Sequence, residues 1–328
     1  MTAPLLEARG LAKQFPMRGS FGPFGRRRAV QAVAEVDLSL ARGEAIGLVG
    51  ESGSGKSTLG RLLLGLLAPS AGTVRFDGAD LAGADAAALR RLRRRMQIVF
   101  QDPYSSLDPR RRIGAQIADG LAIHHLVPRA ERAARVAALL RQVGLTAEHA
   151  GRFPDAFSGG QRQRIGIARA LATGPDLLVA DEPVSALDVS VQAQVLALLA
   201  DLRRRLGLSL LFISHDLPVV RHVCDRVVVL YLGRVMEEGP VEKVFAAPRH
   251  PYTAALLSAA PSLDPARRRN RILLPGEPPN PAEPPSGCVF RTRCPHVLPA
   301  CAEARPALRP AEGSHRSACI RDDLDLRG

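Results

Sequence analysis

The chain has 328 residues and is 46% hydrophobic, enough for one large domain and a smaller one. No stretch approaches the roughly 18 consecutive apolar residues of a membrane span. Met1-Thr2-Ala3-Pro4 lacks the basic start and apolar run of a secretory signal, so the expectation is a soluble chain that reaches a membrane only through partners. The net charge of +13 is almost all arginine, the lysines being Lys13, Lys56 and Lys243. Arginines cluster at Arg26–Arg28, Arg90–Arg95, Arg110–Arg112, Arg203–Arg205 and Arg267–Arg269 without interleaved aromatics. They read as solvated faces of an arginine-rich chain rather than the footprint of nucleic acid or anionic lipid.

In chain order, residues 5–12 and 30–48 hold short apolar or alternating runs and predict strands, separated by a glycine-rich loop over Gly19–Gly25 and an arginine run. Ala45–Val49 predicts a buried strand ending at Gly50, and Thr58–Leu67 a helix stopped by Pro69. Helix is expected at Asp85–Arg95, a short strand at Gln97–Phe100, and an amphipathic helix at Pro128–Val143. A cap-like Ser and Gly pair opens a helix over Ser158–Ala172. A buried strand at Leu177–Ala180, a helix at Ser190–Leu206, and strands at Ser209–Ile213 and Val227–Leu232 follow. This alternation predicts an α/β sheet core, with the mostly helical insertion between Gln101 and Gly160 as a subdomain beside it. From residue 261 to 310 proline is frequent, most of all over Pro275–Pro285, which excludes regular helix there. The tail therefore reads as ordered and extended, without a second hydrophobic core. No internal repeat is visible.

Gly50-Glu51-Ser52-Gly53-Ser54-Gly55-Lys56-Ser57-Thr58 has the form G-x-x-x-x-G-K-[ST] between a predicted strand and a predicted helix, the context a phosphate loop requires. Gly50, Gly53 and Gly55 let backbone N–H groups converge on phosphate oxygens. Lys56 would neutralise the β- and γ-phosphates and the Ser57 hydroxyl would ligate Mg2+, so the ligand expected is ATP with Mg2+. Leu177–Glu182 is an apolar strand ending in two carboxylates, at a strand end where ligands sit in a parallel sheet. Asp181 would hold Mg2+, directly or through water, and Glu182 would orient and polarise the attacking water. A helix cap is the plainer use of such a pair, and the phosphate loop favours the catalytic one. Ser158-Gly159-Gly160-Gln161 opens a helix whose hydroxyl, glycine amides and positive end make an anion site.

Set in chain order, these motifs resemble the ATP-binding cassette (ABC) ATPases. Gln101 after Val99-Phe100 matches the glutamine loop, and Ser158–Gln161 continuing through Arg162-Gln163-Arg164 the signature. Ser185-Ala186-Leu187-Asp188 matches the D-loop, and His215 in Ile213-Ser214-His215-Asp216 the switch histidine. The resemblance covers most of residues 5–240. It implies a P-loop NTPase core, a RecA-like sheet with an antiparallel β subdomain, and a helical signature subdomain at about 102–170. It implies that Gln101 senses Mg2+ and the γ-phosphate and links to a transmembrane partner, and that His215 contacts the γ-phosphate. An aromatic near the end of the first strand is implied to stack on adenine; Phe15 is the first candidate, with Phe21 and Phe24 as alternatives. Two cassettes are implied to close head to tail, so that Ser158 completes the nucleotide site of a second chain. Gly159, Gly160, Gln161 and Asp188 belong to the same nucleotide-binding set, and the second chain is a copy or a paralogue.

Gln101–Arg110, Ser185–Gln194 and His250–Leu257 before Ala260-Pro261 look like the ATPase subunits of oligopeptide/dipeptide and nickel importers, and residues 241–328 resemble their small cysteine-containing C-terminal extension. This implies an ATPase that powers peptide import, with nickel or another small solute as the alternative. The implied partners are two membrane permease subunits and, indirectly, an extracytoplasmic solute-binding protein, with the chain peripheral at the cytoplasmic face of the plasma membrane. A soluble ABC ATPase acting on nucleic acid is the rival, supported only by the arginine clusters, and no nucleic-acid partner is expected.

Cys288, Cys294, Cys301 and Cys319 fall within 32 residues, spaced C-x5-C-x6-C-x17-C. Disulfides are disfavoured in a cytosolic chain, whereas four thiolates suit zinc or an iron–sulfur cluster. The absence of C-x2-C knuckles tilts the choice from Zn2+ toward a [4Fe–4S] cluster, which the subfamily resemblance also implies. Four unrelated buried thiols are the plainer alternative. Cys224 reads as packing and His222 as a surface residue.

Overall fold

A computed structural model describes residues 3–21, 27–102, 104–260 and 271–326. Strands β1 (Leu6–Phe21), β2 (Arg27–Leu40) and β3 (Ala45–Val49) lead into α1 (Lys56–Leu63), then β4 (Ala71–Phe76) and β5 (Ala79–Asp80). Next come α2 (Ala86–Arg95), β6 (Met96–Val99), α3 (Ile113–Ile123), α4 (Arg132–Gln142) and α5 (Gly159–Leu171). They are followed by β7 (Leu177–Asp181), α6 (Val189–Leu206), β8 (Ser209–Ser214) and α7 (Leu217–Val223). The chain continues through β9 (Arg226–Tyr231), β10 (Arg234–Pro240), α8 (Val241–Ala246) and α9 (Pro251–Ala259) to β11 (Arg309–Glu312) and β12 (His315–Ser317). Two compact units result, one of Met1–Leu5, Leu40–Glu44 and Gly83–Ile213, the other of Leu6–Ser39, Ala45–Ala82 and Ser214–Gly328. No helix among the described residues is long and apolar enough to cross a membrane.

In the first unit β6, β7 and β8 form a parallel ladder, with Met96 opposite Leu177 and Leu177 opposite Ser209. Every residue of β7 and β8 is buried, which is why both read as unbroken apolar runs rather than alternating ones. α2 opens where Asp85 accepts the Ala88 N–H at 2.6 Å, and its arginine-rich sequence buries no residue. The helical insertion is present. Ile113, Ile117 and Leu121 line one face of α3 at i, i+4 spacing, and Val136, Leu139 and Leu140 are the buried residues of α4. The insertion was expected to be mostly helical, but no helix was placed at α3, whose Gly114 and Gly120 weaken its helical propensity. Packing supplies the reason for one of them: a Cβ on Gly114 would lie 3.0 Å from the Ala150 carbonyl oxygen.

In the second unit β2, β1, β4 and β5 make an antiparallel sheet in that order, with Leu6 opposite Phe76. β1 runs on to Phe21 and β2 starts at Arg27, so the strands extend into the segment expected as a loop; Phe24 and Arg26 lie outside the described residues. β3 pairs in parallel with β9, β9 antiparallel with β10, and β10 with β12, which carries β11 at the edge. The tail has no separate core: residues 271–298 contain no helix or strand, Phe290 is fully buried, and β11–β12 returns to the sheet. Glu237 of β10 fastens that return. It is fully buried and accepts hydrogen bonds from the Arg249 and His250 N–H groups and lies 2.6 Å from His315 Nε2 of β12.

Candidate nucleotide site

β3 is buried along its whole length and ends at Gly50. The next turns need backbone that L side chains resist, with φ of 78° at Gly53 and 101° at Gly55. A Cβ on Gly50 would lie 2.1 Å from the Leu230 carbonyl oxygen, and one on Gly55 2.1 Å from that of Ala32. Glycine is thus imposed at both positions by close backbone approach. The buried Lys56 side chain folds back over the loop, its Nζ donating to the carbonyl oxygens of Gly50 at 2.8 Å and Glu51 at 2.9 Å. The Ser54 hydroxyl is buried and has no hydrogen-bond partner among the described residues, an arrangement that calls for an acceptor or donor from outside the chain. α1 starts at Lys56 without a side-chain cap, leaving Ser57 and Thr58 in its uncapped first turn. These features fit a polyphosphate: a glycine-walled loop, a buried ammonium group, an orphaned hydroxyl and a helix start without a side-chain cap. Ser52 stands in the same loop between Glu51 and Gly53.

Two residues outside the loop grip it. The Glu51 N–H donates to Tyr252 Oη at 2.8 Å, and Glu51 Oε2 accepts from Arg293 Nη1 at 2.8 Å. Neither role was expected from the sequence, although Tyr252 lies in the His250-Pro251-Tyr252-Thr253 stretch that carries the subfamily resemblance. His215 is exposed at a fixed corner after β8. Ser214 Oγ accepts the Asp216 N–H at 2.9 Å, and Asp216 caps α7 by accepting from the Val219 N–H. Phe15 is 39% exposed on β1, with Lys13 Nζ 5.2 Å from its ring centre. The Phe21 side chain and Phe24 are not among the described groups.

The carboxylate pair lies in the first unit. Asp181 closes β7 and is buried. Glu182 takes a left-handed backbone, φ 46°, a conformation that costs a non-glycine residue about 1–3 kcal/mol. Its N–H donates to the Ile213 carbonyl at 3.0 Å, and its own carbonyl accepts from Ser185 Oγ at 3.1 Å. Gln101 Nε2 donates to Glu182 Oε2 at 3.1 Å. The parallel register, Val99 opposite Ala180, brings the ends of β6 and β7 together and makes that bond available. Asp188 is exposed at the N-cap of α6.

Ser158 caps α5 in a reciprocal box with Gln161: Ser158 Oγ accepts the Gln161 N–H at 3.4 Å, and Gln161 Oε1 accepts the Ser158 N–H at 3.1 Å. Ser158 is exposed, so the box presents its hydroxyl outward. The two glycines answer to packing as well as to anion binding. A Cβ on Gly160 would lie 2.3 Å from Val191 Cγ1 of α6, and one on Gly159 3.2 Å from Leu187.

Cys288, Cys294, Cys301 and Cys319 are free thiols. Among the described residues no group of three or more His, Cys, Asp or Glu side chains is assembled so that it could hold a metal ion. The thiols are nevertheless close enough to affect one another. Burial pushes Cys294 up to about 11, with the charges of Cys319, Cys288 and Cys301 adding to the rise, and Cys288 and Cys319 are raised chiefly by burial too. Backbone N–H groups meet the sulfurs, Leu298 N–H to Cys301 Sγ at 3.5 Å and Arg321 N–H to Cys319 Sγ at 3.4 Å. Gly287 is required beside them: its φ is 62° and a Cβ there would lie 2.2 Å from the Cys301 carbonyl oxygen.

Comparison with known proteins agrees with this geometry. A family profile described as ABC transporter matches residues 33–185, and one described as the oligopeptide/dipeptide transporter C-terminal region matches residues 236–301. A protein named as a peptide import ATP-binding protein in Brucella ovis is 55% identical over 98% of this chain and 99% of its own length. The dipeptide transport ATP-binding protein DppF of Escherichia coli K12 is 48% identical over 98% of this chain and 96% of its own. Among solved structures, a dimeric ATP-binding cassette bound to ADP and Pi matches at TM-score 0.64 and 29% identity, covering 72% of this chain and 98% of that one. The cassette cbiO1 of Clostridium perfringens, part of the cbiONQ complex, matches at TM-score 0.63 and 29% identity, covering 75% of this chain and 92% of that one. With full-length relatives at this identity, and with phosphate loop, carboxylate pair and capped signature helix all present, the chain belongs to the ABC transporter ATP-binding proteins, in the branch that carries the oligopeptide/dipeptide transporter C-terminal region.

Proposed function

We propose that this chain is the ATP-hydrolysing subunit that powers a peptide importer. The observation that carries the reading is near-complete coverage, at 48–55% identity, by relatives named for peptide and dipeptide transport. The C-terminal match sets this branch apart from cassettes in general. We assign residues 1–240 to the ATP-binding domain, with a helical subdomain at about 102–170, and residues 241–328 to the extension.

In this reading the amides from Gly50 to Thr58 and the Lys56 ammonium hold the β- and γ-phosphates. Ser57, Asp181 and Gln101 supply the oxygen ligands for Mg2+, whose charge offsets that of the phosphates. Glu182, held by Gln101 and by its strained backbone, orients and polarises water for attack on the γ-phosphorus, and His215 contacts the γ-phosphate. Little covalent chemistry is asked of the protein, so positioning and electrostatics dominate. Phe15 stacks on adenine. Ser158, Gly159, Gly160, Gln161 and Asp188 serve the nucleotide of a second cassette, either a copy or a paralogue. The exposed Ser158 hydroxyl on a pre-capped helix supports that role.

The same reading gives the chain two permease subunits as partners and a peripheral place at the cytoplasmic face of the membrane, with an extracytoplasmic binding protein delivering solute. Affinity purification of the tagged chain from solubilised membranes should recover permease subunits. Recovery of ribosomes or DNA with no permease would favour the nucleic-acid rival and end this reading.

For the tail we propose that Cys288, Cys294, Cys301 and Cys319 ligate a [4Fe–4S] cluster, with Zn2+ as the alternative. Four free thiols that couple electrostatically, with backbone N–H groups on their sulfurs, support it. Metal and acid-labile sulfide analysis of anaerobically purified full chain tests it, and a sample with neither iron nor zinc would remove it.

A further inference from the structure

The cysteine-bearing loop and the phosphate loop meet at one residue. Arg293, directly before Cys294, is 7% exposed and 242 residues from Glu51 in the chain. Its guanidinium donates to Glu51 Oε2 at 2.8 Å, to Tyr231 Oη at 3.4 Å and to the Pro275 carbonyl at 3.3 Å. The turn that carries it is fixed by its own N–H, which donates to the Phe290 carbonyl at 2.9 Å. Phe290 is fully buried against Tyr231, Tyr252 and His250, with ring centres 5.3, 5.3 and 5.7 Å away. Tyr252, which packs on Phe290, and Arg293 of the same turn are therefore the residues that hold Glu51.

Glu51 passes the contact on. Its N–H goes to Tyr252, its carboxylate to Arg293, and its carbonyl accepts from Lys56 Nζ at 2.9 Å and from the Ser54 N–H at 3.2 Å. All its polar groups are thus tied either to the tail side or to the groups that would face phosphate. Glu51 also brings a negative charge into a loop built for a polyanion, and the Arg293 guanidinium compensates it. A charge-assisted bond in such a half-buried place is stronger than a surface pair.

We propose that Arg293 is a positioning residue for the phosphate loop: acting through Glu51, it neutralises the loop's carboxylate and presets Lys56, so that the cysteine-bearing tail sets the affinity for ATP. This rests on the reading of residues 50–58 as the ATP site. It gives the extension a part in nucleotide binding rather than only a place beside the cassette.

The test measures MgATP affinity of the full-length chain by calorimetry, with melting temperature and metal content as controls on folding. Arg293→Ala and the better-packed Arg293→Gln should each bind MgATP about tenfold more weakly, the loss of one half-buried charge-assisted bond. Turnover at saturating ATP should stay within about twofold, the pattern of lost uniform binding. Adding Glu51→Gln to Arg293→Gln should recover most of the affinity, because the uncompensated carboxylate is gone; a tail with a purely structural role would not give that rescue. Wild-type affinity in Arg293→Gln, or a double variant as weak as the single one, would overturn the proposal. Lys56→Ala separates the two readings: if it too binds MgATP normally, the ATP-site assignment fails first.

Discussion

The side-chain amide of Gln101 donates to the Glu182 carboxylate at 3.1 Å, joining the end of β6 to the end of β7. Glu182 is thus held at both ends, by this bond at its carboxylate and by left-handed backbone tied to Ile213 at its N–H. A general base or water-orienting group needs that fixity more than it needs an unusual environment.

Replacing Glu182 by Gln keeps size and the capacity to bond Gln101 but removes the charge proposed to polarise water. Hydrolysis should fall by at least about a hundredfold, within the range general-base catalysis supplies, while MgATP binding and ATP-dependent dimerisation persist. Steady-state phosphate release checks this. A rate within about tenfold of the wild type would take Glu182 out of the role.

A bulky residue at Ser158, such as Phe, should damage the nucleotide site of the partner and leave the chain's own phosphate loop competent. Mixed dimers make the distinction visible. Pairing Ser158→Phe with a chain inactivated by Lys56→Ala should be informative by position: both lesions fall on one composite site, so one site stays active. If the two lesions instead silence both sites, the signature works in cis and the head-to-tail arrangement fails.

The Glu237–His315 pair holds β12, and with it the end of the tail, against β10. Both groups are buried, so His315→Ala removes one of the three hydrogen-bond partners of Glu237 and should cost about 1–3 kcal/mol. Urea unfolding monitored by tail proteolysis reads this out. A loss below about 1 kcal/mol would mean that the two N–H donors from Arg249 and His250 suffice for Glu237.

His250 gives a pH signature. Full burial holds its imidazole down to about 3 from an ordinary 6.5, and its Nδ1 accepts the Tyr252 N–H at the start of α9. The folded chain therefore stays unprotonated there while the unfolded chain takes up a proton below 6.5. Stability from this group is full above 6.5 and is lost as pH falls from 6.5 toward 3. His250→Asn can keep the cap acceptor and removes the titration. Between about pH 6 and 4 its unfolding free energy should fall less steeply than the wild type's, by about 1.4 kcal/mol per pH unit; parallel slopes would contradict the assignment.

What could be read from the sequence was local. The phosphate loop, the Asp181–Glu182 strand end and the Ser158 cap are contiguous stretches whose residue types state their chemistry, and β7 and α5 fall within a residue or two of expectation. A mostly helical stretch after Gln101 was also legible, yet the position of α3 was not, because Gly114 is there for Ala150, a contact no local pattern records. The grip of Tyr252 and Arg293 on Glu51 depends on chain segments about two hundred residues apart and has no local signature. The cysteine spacing pointed to a metal or cluster site, and no three of these thiols are assembled to hold a metal ion among the described residues.

The most direct measurement is ATP-driven uptake of a radiolabelled dipeptide into proteoliposomes that contain this chain, its co-purified permeases and the matching binding protein. Uptake should require MgATP, and substituting the Glu182→Gln chain should abolish it while nucleotide remains bound. Uptake that proceeds equally with Glu182→Gln, or an assembly that hydrolyses ATP without moving any peptide, would contradict the account.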